Sequence, residues 1–276
     1  MVAVAAPPIA SERSPRVVGA TLPTSTIAIA KRTIWKFLRS PQLIVVGTIQ
    51  GAMFLLIFRY VFGGAISAGG GSYVDFLVPG FITTSVLWSG MTAATGVAED
   101  LEQGFVDRLR SLPIPRAAVL IGRSVADTAT ATWALLITTA IGFGVGFRVH
   151  GSAPEALAAF GLCIVFAFTL EWVFIVLGLF AGNPQAANGL SLMVLPFTFV
   201  SSAYVPVASM PGWMQAVARN QPITLMVDAV RALALGDAGS ATLGHPAGYF
   251  VVRALLWSVA IIALFGTLAV ARYRRG

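Results

Sequence analysis

Charge is scarce in this chain: of 276 residues only 11% are Asp, Glu, Lys or Arg, against 57% hydrophobic residues. Disorder is excluded, because a disordered chain needs low hydrophobicity and high charge. A soluble domain is excluded too, since about a quarter of such a domain is charged and its mean hydropathy stays well below the +0.84 found here. Cysteine is nearly absent. Cys163 alone allows neither an intrachain disulfide framework nor a cysteine metal site. Histidine is limited to His150 and His245, and neither H-E-x-x-H nor G-x-S-x-G occurs, which leaves the common hydrolytic motifs unfilled. The only lysines, Lys31 and Lys36, follow no glycine loop, so G-x-x-x-x-G-K-[ST], the cradle for nucleotide phosphates, is missing.

What is present is apolar sequence in long uncharged runs, and crossing a hydrocarbon layer of ~30 Å takes ~20 such residues. The spacing predicts six spans, over residues 43–62, 74–98, 117–147, 156–181, 186–209 and 249–271. Before them, LPTSTIAIAKRTIWKFLRS (residues 22–40) sets Ile27, Ile34, Trp35 and Leu38 at helical spacing among Lys31, Arg32, Lys36 and Arg39. That pattern predicts an amphipathic helix lying in the headgroup plane. The opening MVAVAAPPIA lacks a basic n-region and carries two prolines, so residues 1–21 read as a disordered cytosolic tail rather than a signal peptide.

The net charge of +7 reads as topology rather than as nucleic-acid binding, because no basic stripe is interleaved with stacking aromatics. Thirteen of the 18 Lys and Arg flank the same side of the six spans, which predicts cytoplasmic termini; a bacterial-type plasma membrane is the expected location. Gly47/Gly51, Gly142/Gly146 and Gly178/Gly182 form small-xxx-small pairs that permit close helix approach.

Two connections carry more information than the rest. EDLEQGFVDRLRSLPIPR, between the second and third spans, repeats Leu101, Phe105, Leu109 and Leu112 at steps of 4, 4 and 3, which predicts a short cytosolic helix ended by Pro113 and Pro115. The 39 residues between the fifth and sixth spans contain MPGWMQAVARN, amphipathic but too short to cross, and expected to return to the outer surface. Inside the spans, Asp127 follows Arg123 by four residues, a local helix pair. Glu171 falls in the middle of the fourth span, where a carboxylate costs at least ~2.5 kcal/mol and must face protein or water.

Glu102, Gly104, Leu109 and Leu112-Pro113 resemble the pattern after the second membrane helix of type-2 ABC exporter permeases. Pro196, Ser201-Ser202, Pro206, Met210-Pro211, Trp213, Asn220-Gln221-Pro222 and Arg231-Ala232-Leu233 resemble their C-terminal half, in particular the daunorubicin-resistance-like branch. The resemblance implies an all-α integral membrane fold of six transmembrane helices, with an interfacial N-terminal helix, a cytosolic coupling helix and short re-entrant outer helices, over residues 22–276. It implies a permease of an ATP-driven exporter of amphipathic drug-like or lipid-like substrates. Two ATPase subunits would bind ATP and Mg, a second permease copy or similar permease would complete the membrane part, and lipid would surround it. This chain itself would be no enzyme and would hold no cofactor or metal. Carried over, Glu102, Gly104, Phe105, Arg108, Leu112 and Pro113 would dock the ATPase, and Met210, Pro211, Trp213, Asn220 and Pro222 would form an outer gate. Glu171 is the candidate on the translocation path, and Gln221 receives no role. The competing readings are a proton-coupled secondary transporter and an exporter of polysaccharide or lipid-linked glycan.

Overall fold

The computed structural model describes residues 22–63, 72–106 and 116–275; the expected tail, and Arg108, Leu112 and Pro113 of the expected coupling helix, lie outside them. Among the described residues the secondary structure is helical throughout. Helix α1 is Leu22–Leu38, and α2, Pro41–Ile57, runs on into a π-helical turn at Phe58–Phe62. Next come α3 (Tyr73–Glu102), α4 (Arg116–Gly144) and α5 (Ala153–Ala181). After these the helices shorten: α6 (Pro184–Leu192), α7 (Leu195–Phe199), a 3₁₀ turn at Val207–Ser209, α8 (Gly212–Asn220), α9 (Pro222–Leu235) and α10 (Asp237–Leu243). Helix α11, Ala247–Arg275, closes the chain.

Of these, α3, α5 and α11 are long and apolar enough to cross a membrane. Helix α4 has 29 residues and lies where the third span was expected. The fifth expected span, 186–209, is not one helix. Pro196 has no amide hydrogen to continue the ladder, and Met193 and Val194 bond three residues back, to Leu190 and Ser191, which tightens the chain between α6 and α7. From Val200 to Pro206 the chain is irregular. Helix α9, which the sequence reading left as part of a long connection, is buried along nearly its whole length.

The core is centred on α3 against α5. Gly90 lies under the Phe174 ring, where a Cβ would sit 2.1 Å from Cδ2, and a Cβ on Gly178 would sit 2.5 Å from the Ala94 carbonyl oxygen. These glycines set how closely the two helices approach. The small-residue pairs therefore divide their work: Gly142 and Gly178 face α3, whereas Gly146 and Gly182 take positive φ (102° and 76°) just past the ends of α4 and α5. At its other end α5 is held by a capping box between Ser152 and Glu155.

Helix α1 packs along α4, with Gly122 admitting the Thr26 carbonyl and the Ile29 side chain. Its Ile27, Trp35 and Leu38 remain uncovered by protein. An amphipathic helix that turns its apolar residues away from its own protein is suited to a lipid surface.

Candidate coupling and transport sites

At one end of α3 the expected coupling segment begins differently from its sequence pattern. Glu99, Asp100 and Glu102 do not open a new helix; they occupy the last turn of α3. Gly104, at φ 65°, turns the chain, and helical backbone resumes at Phe105 and Val106. Hydrophobic periodicity runs across such a turn unbroken, which is why the boundary was illegible. Glu102 is exposed, while Gly104 and Phe105 are half-buried. Phe105 lies beneath the Arg32 guanidinium of α1, 3.6 Å from ring centroid to Cζ.

Arg123 of α4 is the hub of this end. It donates to Asp100 of α3 at 2.8 Å, to Asp127 one turn along α4, and to the Ala93 carbonyl at 3.2 Å. Gly96 leaves room for the guanidinium, since a Cβ there would lie 2.5 Å from its Nη2. Asp100 in turn accepts from Arg32 at 3.4 Å. So α1, α3, α4 and the chain entering the coupling segment share one charged network. Glu171 of α5 lies within electrostatic reach of Arg123 and Asp127. It is 1% exposed, and its Oε2 has no hydrogen-bond partner among the described residues. It faces this network rather than the outer candidates.

The outer candidates are distributed over a surface. Trp213 is 72% exposed, Pro211 and Asn220 are exposed, and Met210 and Pro222 are half-buried. Pro222 occupies the first turn of α9, where a missing amide hydrogen costs nothing. Asn220 donates back to the Ala216 carbonyl at 3.1 Å, and Gln215 ties α8 to the Met210 carbonyl at 2.8 Å.

Beneath that surface lies a group the sequence reading missed. Along α9 and the residue that caps its start, Gln221, Thr224, Asp228 and Arg231 recur at steps of 3, 4 and 3, a polar stripe on an apolar helix. That spacing was the available signal. Gln221 Nε2 donates to the Phe197 and Val200 carbonyls at 3.1 and 2.6 Å. Thr224 Oγ1 accepts from the Ser202 amide at 3.3 Å, and Asp228 accepts from the Ser202 hydroxyl at 2.7 Å. Arg231, 2% exposed, pairs with Asp228 at 2.8 Å, donates to the Ser202 carbonyl at 2.8 Å and reaches the Phe76 carbonyl of α3 at 3.0 Å.

The segment so held runs along a cleft lined by Phe54, Phe58, Phe81, Trp88, Phe199 and Tyr204, with the Thr84 and Thr198 side chains among them. Tyr204 stacks on Phe58 at 4.9 Å between centroids, and its hydroxyl lies 3.0 Å from that of Thr84. Thr198 Oγ1 is buried without a hydrogen-bond partner among the described residues. Aromatic walls with a few polar atoms are what an amphipathic ligand of low charge requires.

Comparison with known proteins places the sequence in a family. The sequence profile of the family described as ABC-2 type transporter matches residues 24–235. The daunorubicin resistance ABC transporter permease protein DrrB1 of Streptomyces coeruleorubidus is 32% identical over 266 residues, 96% of this chain and 90% of that protein. The probable doxorubicin resistance ABC transporter permease protein DrrC of Mycobacterium tuberculosis is 22% identical over 257 residues, covering 91% and 88%. The probable multidrug ABC transporter permease YbhR of Escherichia coli is 26% identical over 205 residues, 74% of this chain and 53% of that one. A helical membrane protein whose sequence matches along three quarters of its length thus belongs to the ABC-2 type transporter family, permeases that work with an ABC ATPase subunit and include relatives named for drug resistance.

Proposed function

We propose that this chain is the permease of an ATP-driven exporter that moves amphipathic drug-like or lipid-like molecules out of the cytoplasm. The observation that carries the reading is the aromatic cleft: six aromatic side chains line it with Thr84 and Thr198, and the buried Thr198 hydroxyl has no hydrogen-bond partner among the described residues. In this reading the protein sits in the plasma membrane with both termini cytoplasmic, beside a second permease copy or a similar permease. Two ATPase subunits supply the energy, and they hold the ATP and Mg.

Glu102, Gly104, Phe105, Arg108, Leu112 and Pro113 form the docking segment. Its attachment to α3 through the Gly104 turn, and to α1 through Arg32 and Phe105, supports passage of a push from the ATPase into the membrane helices. Met210, Pro211, Trp213, Asn220 and Pro222 form the outer gate. Glu171 acts from inside the bundle, through Arg123 and Asp127, rather than by direct contact with cargo. The buried Glu171 carboxyl, whose Oε2 has no hydrogen-bond partner among the described residues, also favours a second reading, in which protons rather than ATP drive transport.

The test is uptake into inside-out vesicles containing the chain and its cognate ATPase, with the dye Hoechst 33342 as probe. ATP-dependent uptake that is lost with a catalytically inactive ATPase is expected. Uptake driven by a proton gradient without ATP would transfer the assignment to the second reading.

A further inference from the structure

We propose that the polar stripe of α9, Gln221, Thr224, Asp228 and Arg231, positions the substrate cleft and thereby sets its affinity for cargo. This rests on the cleft being where substrate binds. The stripe residues are absent from the cleft lining. They act on the chain that supplies part of it.

The argument begins at the break in the fifth span. Backbone that leaves a helix inside a membrane protein exposes carbonyl and amide groups that lipid cannot satisfy. Between Phe197 and Ser202 those groups are taken up by α9: the carbonyls of Phe197, Val200 and Ser202 accept from Gln221 and Arg231, and the Ser202 amide donates to Thr224. Three cleft residues, Thr198, Phe199 and Tyr204, lie within or just beyond this stretch. The helical ladder of α7 ends at Phe199, and from Val200 to Ser202 the stretch is placed by side chains from α9.

Arg231 adds a reference point on α3. Its guanidinium holds the Phe76 carbonyl while holding Ser202, and it lies 4.0 Å over the Phe76 ring. One turn further along α3, a Cβ on Gly80 would meet the Ala203 carbonyl oxygen at 2.1 Å, so the stretch lies directly against that helix. The opposite wall of the cleft, Phe81, Thr84 and Trp88, is carried by the same α3. Arg231 therefore fixes the spacing between the two walls. A planar fork of donors is suited to this, because it reaches two carbonyls and a carboxylate at once.

The experiment measures Hoechst 33342 transport by the assembled permease–ATPase complex in proteoliposomes, separating apparent KM from maximal rate. Arg231→Gln and Gln221→Leu are expected to raise KM at least fivefold while the maximal rate per assembled complex falls less than twofold. Arg231→Lys, which keeps the charge but loses the fork, is expected to recover part of the KM. Ser202→Ala, which removes one bond of the stripe, gives a smaller shift in the same direction. Thr198→Val and Phe81→Ala test the cleft itself. If these two change KM and the assembled stripe variants do not, the positioning role is overturned and the cleft reading stands. If neither set changes KM, the cleft reading fails and this inference with it. Failure of all the stripe variants to assemble would assign the stripe to folding alone and would also overturn the proposal.

Discussion

Arg123 on α4 and Asp100 on α3 form an ion pair of 2.8 Å in which both side chains are largely enclosed. Each has a second partner of opposite charge, Asp127 for Arg123 and Arg32 for Asp100. Four groups from three helices thus compensate one another. Removing Arg123 or Asp100 leaves the other with a single partner, a loss below the ~3–5 kcal/mol that breaking a fully buried pair costs.

Arg123→Ala should accordingly lower the midpoint of thermal unfolding in detergent, and Asp100→Ala should do the same. The double substitution is expected to cost clearly less than the sum of the two, because the partners depend on each other. Additive losses would show that the pair contributes nothing as a pair.

Close approach of α3 and α5 gives a second expectation. Gly178→Ala places a methyl against the Ala94 carbonyl and should destabilise by about 1–3 kcal/mol, as overpacking does. Gly161→Ala, on the same helix with nothing within 4 Å, serves as the control and should cost nothing. Unfolding midpoints of the two variants, measured side by side, decide it. Equal midpoints would mean that the helices shift freely.

The docking segment is examined by replacing Phe105 and Arg108 together with Ala. Co-purification of the cognate ATPase, or transport-linked ATP hydrolysis, should fall at least several-fold, with membrane insertion intact. Arg32→Ala removes the guanidinium over Phe105 and should weaken coupling less than the double change. Full assembly and transport in both variants would remove the docking role from this segment.

Glu171→Gln keeps the side chain's shape and takes away its ability to carry charge. Export of Hoechst 33342 should fall while assembly with the ATPase persists. Unchanged export would reduce Glu171 to a packing residue. Proton-driven export that vanishes in this variant would favour the secondary-transporter reading.

The long apolar elements were legible because their signal is local: α3, α5 and α11 are uniform runs that only a bilayer or a core accommodates. Helix α1 was legible from its spacing. The Arg123–Asp127 pair was legible because it is four residues apart on one helix. Three things were not. The end of α3 was hidden, since Leu101 and Phe105 keep helical spacing on both sides of the Gly104 turn. The break after α6 was hidden because apolar residues continue through it, and Pro196 alone does not tell a kink from an interruption. The cleft was hidden because Phe54, Trp88 and Tyr204 belong to three separate segments that meet only in the folded chain. Arg231 lies on a buried face that its polar neighbours at steps of 3, 4 and 3 mark out.

Helix α9 also bears on how the protein is made. Its 14 residues are too few to cross a bilayer, and Asp228 and Arg231 are costly to insert alone. Their carbonyl and hydroxyl partners, on Phe76 and Ser202, precede them in the chain. Synthesis from the N-terminus therefore delivers the acceptors before the charges that need them, and α9 enters a prepared socket instead of bare lipid. Helix α11, which packs over α9, is made after it and closes that socket.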